Sequence, residues 1–185
     1  MRKRSLAAGS LWLAASLAVA VVVAGVTVPD TVSVEGKTLK LNGAGLRKKL
    51  GVVKVYVLAL YTETPSKDAA FIISSDQVKC LRMTLRRSVG GARIAESIAE
   101  GFERNSKTQM TALQSRLDRL ARMIPDLKED DEVVLTCVPG TGTRITALGT
   151  DRGVIEGRDF ADALLSVWLG PNPVQEDLKK ALLGS

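Results

Sequence analysis

Arg47 and Tyr56 are the residues whose types and surroundings could do chemistry in this sequence. Arg47 sits in NGAGLRKKLG, read as a glycine-spaced turn in which backbone and ligand can come close. Residues 52–61 follow, almost all apolar, β-branched or aromatic, which is the composition of a buried strand. Arginine keeps its proton, so its use is to hold or stabilise negative charge. Tyr56 alternates with Leu58 and Leu60 on one face of the strand, and its hydroxyl needs a partner in that apolar row. A carboxylate or phenolate head at Arg47, with an apolar body along the strand, would suit both. The plainer alternative is an Arg47 paired to a surface acid and a Tyr56 packed in the core.

Other chemistry is restricted by what the sequence lacks. It contains no histidine, which excludes His-based triads, Cys-His pairs and histidine metal sites. Cys80 and Cys137 are too few for a structural zinc site. Both lie in strand-like segments and could form one disulfide if those strands are neighbours; otherwise they are two small buried side chains. Glu96 and Glu100 are one helical turn apart but lie beside the apolar stripe of their helix, and Asp159 and Asp162 read as cap and surface. The acidic stretch DLKEDDE at 126–132 lacks the glycine and spacing of a calcium loop. Arg116, Arg119 and Arg122 on a helix invite an anion-binding reading, against which a solvated face is the simpler one. No metal and no cofactor is expected.

Arg47 and Tyr56 can act together only if the elements around them hold them in place. Residues 1–25 read as an export signal, with Arg2, Lys3 and Arg4 ahead of an apolar core and small-residue cleavage sites at 18–20 or 23–25. Left uncleaved, residues 11–28 carry no charge and are just long enough to anchor in a membrane. The net charge of +6 owes much to that leader, which holds three of the 26 basic residues and none of the 20 acids. The remainder is near balance, so no nucleic-acid footprint is expected.

The rest reads as one α+β domain of about six strands and five helices. Residues 32–34 and 38–41 form a hairpin, and 52–61 a long central strand covered on both sides. Residues 66–74 form a short helix capped by Ser66. Residues 77–89 form a strand with Val78, Cys80, Arg82 and Thr84 on one face, and Lys79, Leu81, Met83 and Leu85 on the other. Helices at 92–104 and 109–124 follow, the first with Ile94, Ile98 and Phe102 inward. Strands at 133–138 and 143–148 pair across Pro139-Gly140-Thr141-Gly142, and residues 154–155 add a short strand. Two helices close the chain, at 159–169 with Phe160, Ala163, Leu164, Val167 and Trp168 on one face, and at 174–183.

At this point GAGLRKKLGVVKVYVLALYTE resembles the start of the chalcone isomerase family, where a Gly-Ala-Gly-x-Arg turn leads into a strand ending in Tyr-x-Glu. RMTLRRSVGGARIAESIAEGFERN resembles the family's strand and following helix. The segment from DEVVLTCVPG through FADALLSVWLGPNP resembles its C-terminal half, and the likeness covers residues 31–184. The resemblance implies a chalcone isomerase-like open-faced β-sandwich, an antiparallel sheet with helices layered on one face and a ligand cleft between them. Active members add a phenolate across a conjugated double bond, with an arginine, matched by Arg47, steadying the charge. The family's other catalytic positions do not carry over. Its strand threonine is Tyr56 here, and its helix tyrosine and asparagine fall near Ile94 and Gly101. This implies the non-catalytic branch that includes fatty-acid-binding members.

The expectation is therefore an exported, periplasmic or secreted protein, or an inner-membrane-anchored one if the leader stays. It binds a fatty acid or similar amphiphilic anion, an aromatic acid included, through Arg47, with Tyr56, Ile94 and Ile98 lining the cleft. The rival expectation is an isomerase or lyase acting on an enone-like substrate with Arg47 as electrostatic catalyst.

Overall fold

The computed structural model describes residues 20–185. Seven antiparallel strands make one sheet in the order β3-β4-β5-β6-β7-β8-β9. They are β3 Thr31–Val34, β4 Lys37–Lys49, β5 Val53–Thr62, β6 Lys79–Leu85, β7 Glu132–Val138, β8 Gly142–Ala147 and β9 Thr150–Ile155. A separate hairpin, β1 Ala20–Val23 and β2 Val26–Pro29, precedes them. The helices are α1 Ala69–Ser74, α2 Gly91–Ser106, α3 Met110–Met123, α4 Arg158–Leu169 and α5 Glu176–Leu182.

Strand β5 is buried on both faces, as its apolar run requires. Tyr56, Leu58 and Leu60 face a core shared with all five helices, and Val57, Ala59 and Tyr61 face a second, smaller core that Val28 of the β1–β2 hairpin helps to close. The Tyr61 hydroxyl donates to the Pro29 carbonyl at 2.9 Å, which fastens β2 to the back of the sheet. On the helix side α4 is enclosed more fully than a one-sided amphipathic helix. Ala161, Leu165 and Leu169 are buried along with the expected face, because α1, α2 and α5 flank it.

The alternation read along β6 holds, with Leu81, Met83 and Leu85 in the helix-side core and Val78 and Cys80 in the other. It also rules out the disulfide. Strands β6 and β7 are neighbours, but Lys79 opposes Cys137 and Cys80 opposes Thr136, so the two thiols lie on opposite faces of the sheet. Both cysteines are free and buried, and loss of solvent pushes the Cys80 thiol up to about 12 and that of Cys137 to about 11.

Two further expectations are corrected. The helix after β5 starts later than residue 66, and its cap is Asp68, whose carboxylate accepts from the Ala70 and Phe71 amides; Ser66 instead accepts from the Asp68 amide. The final strand starts at Thr150 rather than at residue 154, extending the sheet. Paired strands are present from residue 20 onward, ahead of residue 31. Val21, Val22, Val23 and Val26 belong to paired strands, so the run 11–28 does not continue as one apolar helix through the described part. The rest of the leader expectation lies outside the described residues. No helix among the described residues is long and apolar enough to cross a membrane.

The most consequential correction concerns the glycines near Arg47. Residues 43–47 are not a turn but the middle of β4. Gly43, Gly45 and Arg47 are two apart because they share the helix-side face, opposite Leu60, Leu58 and Tyr56 of β5. The two glycines make room for α5. A β-carbon at Gly45 would lie 2.7 Å from the Ala181 β-carbon and 2.9 Å from Leu178 Cδ1, and one at Gly43 would overlap the Ala181 carbonyl. The close approach is made by a helix, not by a ligand.

Two outcomes follow from this packing. Gly43→Ala should cost about 2 kcal/mol through overpacking against a helix backbone that cannot yield locally, seen as a lower urea midpoint. Thiol titration with a disulfide reagent at pH 8 should find no reactive cysteine in the folded protein and two after unfolding.

Candidate functional site

The pairing of β4 with β5 slips by one residue next to the site. Arg47 opposes Tyr56 and Lys48 opposes Lys54, which leaves Val55 as a bulge. The bulge lets Val55 and Tyr56 both line one cleft on the helix side, with Arg47 beside them as the directly opposed residue. Strand β6 contributes Met83, and the stretch leading into α2 contributes Arg87 and Val89. Helix α2 forms the facing wall with Ile94 and Ile98, and Val167 and Trp168 of α4 complete it. The cleft holds about 420 Å³, within the range of small-molecule sites. Arg47, Tyr56, Ile94 and Ile98 are thus brought to one cavity.

Arg47 is half-buried and has no carboxylate within ion-pair distance among the described residues. It is held by neutral groups. Its Nη1 donates to the Lys48 carbonyl and, at 3.2 Å, to Gln175 Oε1. Gln175 also accepts from the Lys48 amide at 2.9 Å and donates to the Leu46 carbonyl at 3.2 Å. It stands directly before α5, so the helix seated on Gly43 and Gly45 also positions Arg47. The guanidinium is oriented without being neutralised, which leaves its charge for an anion.

Tyr56 has the partner its burial demands. Trp168 Nε1 donates to its hydroxyl oxygen at 2.9 Å, which leaves the phenolic hydrogen to be donated into the cleft. Burial raises the Tyr56 pKa, against lowering by the Trp168 hydrogen bond and by the Arg47 charge. The phenol is therefore a neutral donor rather than a base. The Trp168 N–H is thereby satisfied, and Met83, Ile94, Ile98 and Val167 give the cleft its apolar lining beside the Tyr56 hydroxyl.

Sequence reasoning missed Trp168, Arg87 and Gln175. Trp168 was readable only as a core residue of α4, although an indole N–H on an apolar face always needs an acceptor and Tyr56 was a phenol without a donor. Gln175 gave no signal, since its role depends on where α5 docks. Gly101, where the resemblance implied a polar residue in the family, does not line the cleft. A β-carbon there would meet Val167 Cγ1 at 2.7 Å, so α2 and α4 touch where an asparagine side chain would otherwise stand.

Several of the remaining charged candidates are engaged elsewhere. Arg116 pairs with Asp159 at 2.6 Å and lies over the Phe160 ring. In the acidic stretch Asp126 accepts from the Gly91 amide, Asp130 pairs with Arg86, and Glu132 forms a two-bond fork with Arg82. No group of acids, cysteines and histidines able to hold a metal exists among the described residues. A second hollow, of about 680 Å³, opens at the opposite end of the sheet. Lys79 stands in it with its ammonium donating to the Ile73 carbonyl, and Arg158 at its rim is paired with Asp76 and Asp162.

No curated protein matches the chain in sequence. Among solved structures, the crystal structure of a fatty-acid binding protein of Arabidopsis thaliana is similar, with a TM-score of 0.69 and 16% identity over 89% of this chain and 95% of that one. At that identity the likeness speaks for the fold: a mixed α+β chain with an antiparallel sheet and helices over one face. The family model described as chalcone isomerase-like matches residues 20–184, starting at the first strand of the hairpin rather than at residue 31. A Gly-x-Gly-x-Arg strand seated under α5, a cleft between sheet and α2, and this match over nearly the whole chain agree: the protein belongs to the chalcone isomerase-like family.

Proposed function

We propose that this protein binds a fatty acid or a similar amphiphilic anion, with the head group at Arg47 and the chain running between Tyr56, Ile94 and Ile98. The observation that carries the reading is a guanidinium oriented by neutral partners at the edge of an apolar-walled cleft. A carboxylate there gains a charge-assisted hydrogen bond from Arg47 and a second from the Tyr56 hydroxyl. The apolar wall then removes the chain from water at about 25 cal/mol per Å². The Arabidopsis thaliana neighbour, described as a fatty-acid binding protein, supports the choice of ligand class. The basic and apolar N-terminal stretch supports export to the cell envelope.

An isomerase acting on an enone-like substrate needs a proton donor where charge develops, and Tyr56 stands beside Arg47. Its raised pKa makes the phenol a weak acid, which favours binding over turnover. Purified protein should leave the visible absorbance of a chalcone unchanged.

Direct calorimetric titration with palmitate tests the main reading. Saturable binding is expected, weakened about tenfold or more in Arg47→Ala and about threefold in Tyr56→Phe. No saturable binding, or unchanged affinity in Arg47→Ala, overturns it.

The Tyr56 donor role has its own optical test. Tyr56 and Tyr61 both have pKa values above the ordinary 10.0, that of Tyr61 reaching about 12 because burial outweighs the lowering by Arg82. The folded state keeps both protons longer than the unfolded chain, so stability is intact below pH 10 and falls as pH rises past it. Phenolate absorbance at pH 10.5 should be small in the folded protein and should appear on unfolding.

A further inference from the structure

The turn joining β4 to β5 has the composition of a membrane-docking tip, and it stands at the rim of the cleft. Leu50 is 87% exposed and Val52 is 78% exposed, the most exposed of the large apolar side chains described. Lys48, Lys49 and Lys54 surround them. None of the three makes an ion pair among the described residues, and no acid occurs anywhere from residue 36 to 62. Isolated exposed aliphatic side chains are ordinary, but a leucine and a valine together at one hairpin tip among unpaired lysines are not. Lys49 and Arg87 also line the cleft with Arg47, so basic residues reach from the tip into it. The acids nearest the opening, Glu96 and Glu100, are taken up by Arg93 and Arg104 on their own helix.

We propose that the β4–β5 tip docks on an anionic lipid surface, with Leu50 and Val52 entering the interface and Lys48, Lys49 and Lys54 meeting lipid phosphates, so that the cleft opens onto the bilayer. The physics is that of an interfacial anchor, in which a few apolar side chains and several cations act together because neither alone is sufficient. A protein partner with an acidic groove would use the same charges, but the flexible lysine stems and unshaped aliphatic tip suit a fluid surface better than a fixed pocket. Docking also gives an amphiphilic ligand a route from bilayer to Arg47 that avoids water. That last consequence rests on the fatty-acid reading of the cleft; the docking itself does not.

The buried, unreactive cysteines make a local test possible in the full chain. Leu50→Cys and Thr141→Cys are each labelled with an environment-sensitive fluorophore. Thr141 lies in the β7–β8 turn, at the end of the sheet opposite the tip, as the strand register requires. Vesicles of phosphatidylcholine with about a quarter phosphatidylglycerol are added, and pure phosphatidylcholine serves as the neutral surface. The label at 50 should shift to the blue on anionic vesicles and hardly at all on neutral ones, while the label at 141 stays unchanged. Each of Lys48→Gln, Lys49→Gln and Lys54→Gln should weaken the response by about fivefold. An unshifted label at 50, an equal shift at 141 (the N-terminal stretch alone carrying the chain to lipid), or an equal response to neutral vesicles overturns the proposal. Leu50→Asn separates this from the cleft. The turn holds residue 50 at a φ of 52°, which asparagine tolerates better than leucine, so the fold is kept. Palmitate affinity in solution should be unchanged in that variant while transfer of palmitate from vesicles slows severalfold. Loss of palmitate binding throughout would count against the cleft reading, with the fluorophore result standing by itself.

Discussion

A strand that is apolar on both faces can be stable only if both faces are covered, and β5 imposes that condition on the whole molecule. Leu58, Leu60 and Tyr61 are fully removed from water, two on one side and one on the other. The sheet alone cannot do this. Five helices cover one face, and the β1–β2 hairpin covers part of the other, held there by Tyr61 and Pro29. The second cover is slight, two four-residue strands, yet it encloses the row that would otherwise present valine, alanine and tyrosine to solvent. It also explains why the family match begins at residue 20: the hairpin belongs to the folded body.

The same strand fixes the site. Where β5 leaves the core it meets the bulge opposite Arg47 and Lys48, and there the sheet stops being wholly filled by helices. Helix α5 lies against Gly43 and Gly45 but ends its contact at Gln175, so the next inward residue of β4, Arg47, is left beside open space. Covering two glycines with a helix and leaving the following arginine uncovered is a packing arrangement with a chemical result. It gives an oriented cation at the edge of the helix-side core. The Tyr56–Trp168 hydrogen bond plays the complementary part. It satisfies two polar atoms deep in the cleft and so keeps its inner wall apolar.

This arrangement separates the molecule from the catalytic pattern that its strand motif suggests. Ile94 adds an apolar wall to the cleft, and at Gly101 the helices α2 and α4 come into contact. The cleft holds an arginine whose charge no carboxylate neutralises among the described residues. Its basic rim continues into the β4–β5 tip, where lysines outnumber acids because there are none.

Much of this was legible in the sequence because it depends on local periodicity. The alternation of β6, the long apolar run of β5, the faces of α2 and α4, and the order of segments that carries the family likeness are all functions of neighbours along the chain. The sequence by itself determined that one arginine precedes a two-faced strand and that histidine chemistry is absent. Three other matters were decided only by the tertiary structure. Gly-x-Gly-x-Arg could be a turn or a strand, and the docking of α5 more than 130 residues later is what makes it a strand. Cys80 and Cys137 lie on adjacent strands, and only the register puts them on opposite faces. Trp168 and Gln175 owe their roles to partners more than 100 residues away. Periodicity tells which way a side chain points within its element, whereas what it meets there is set by packing between elements, which no local pattern encodes.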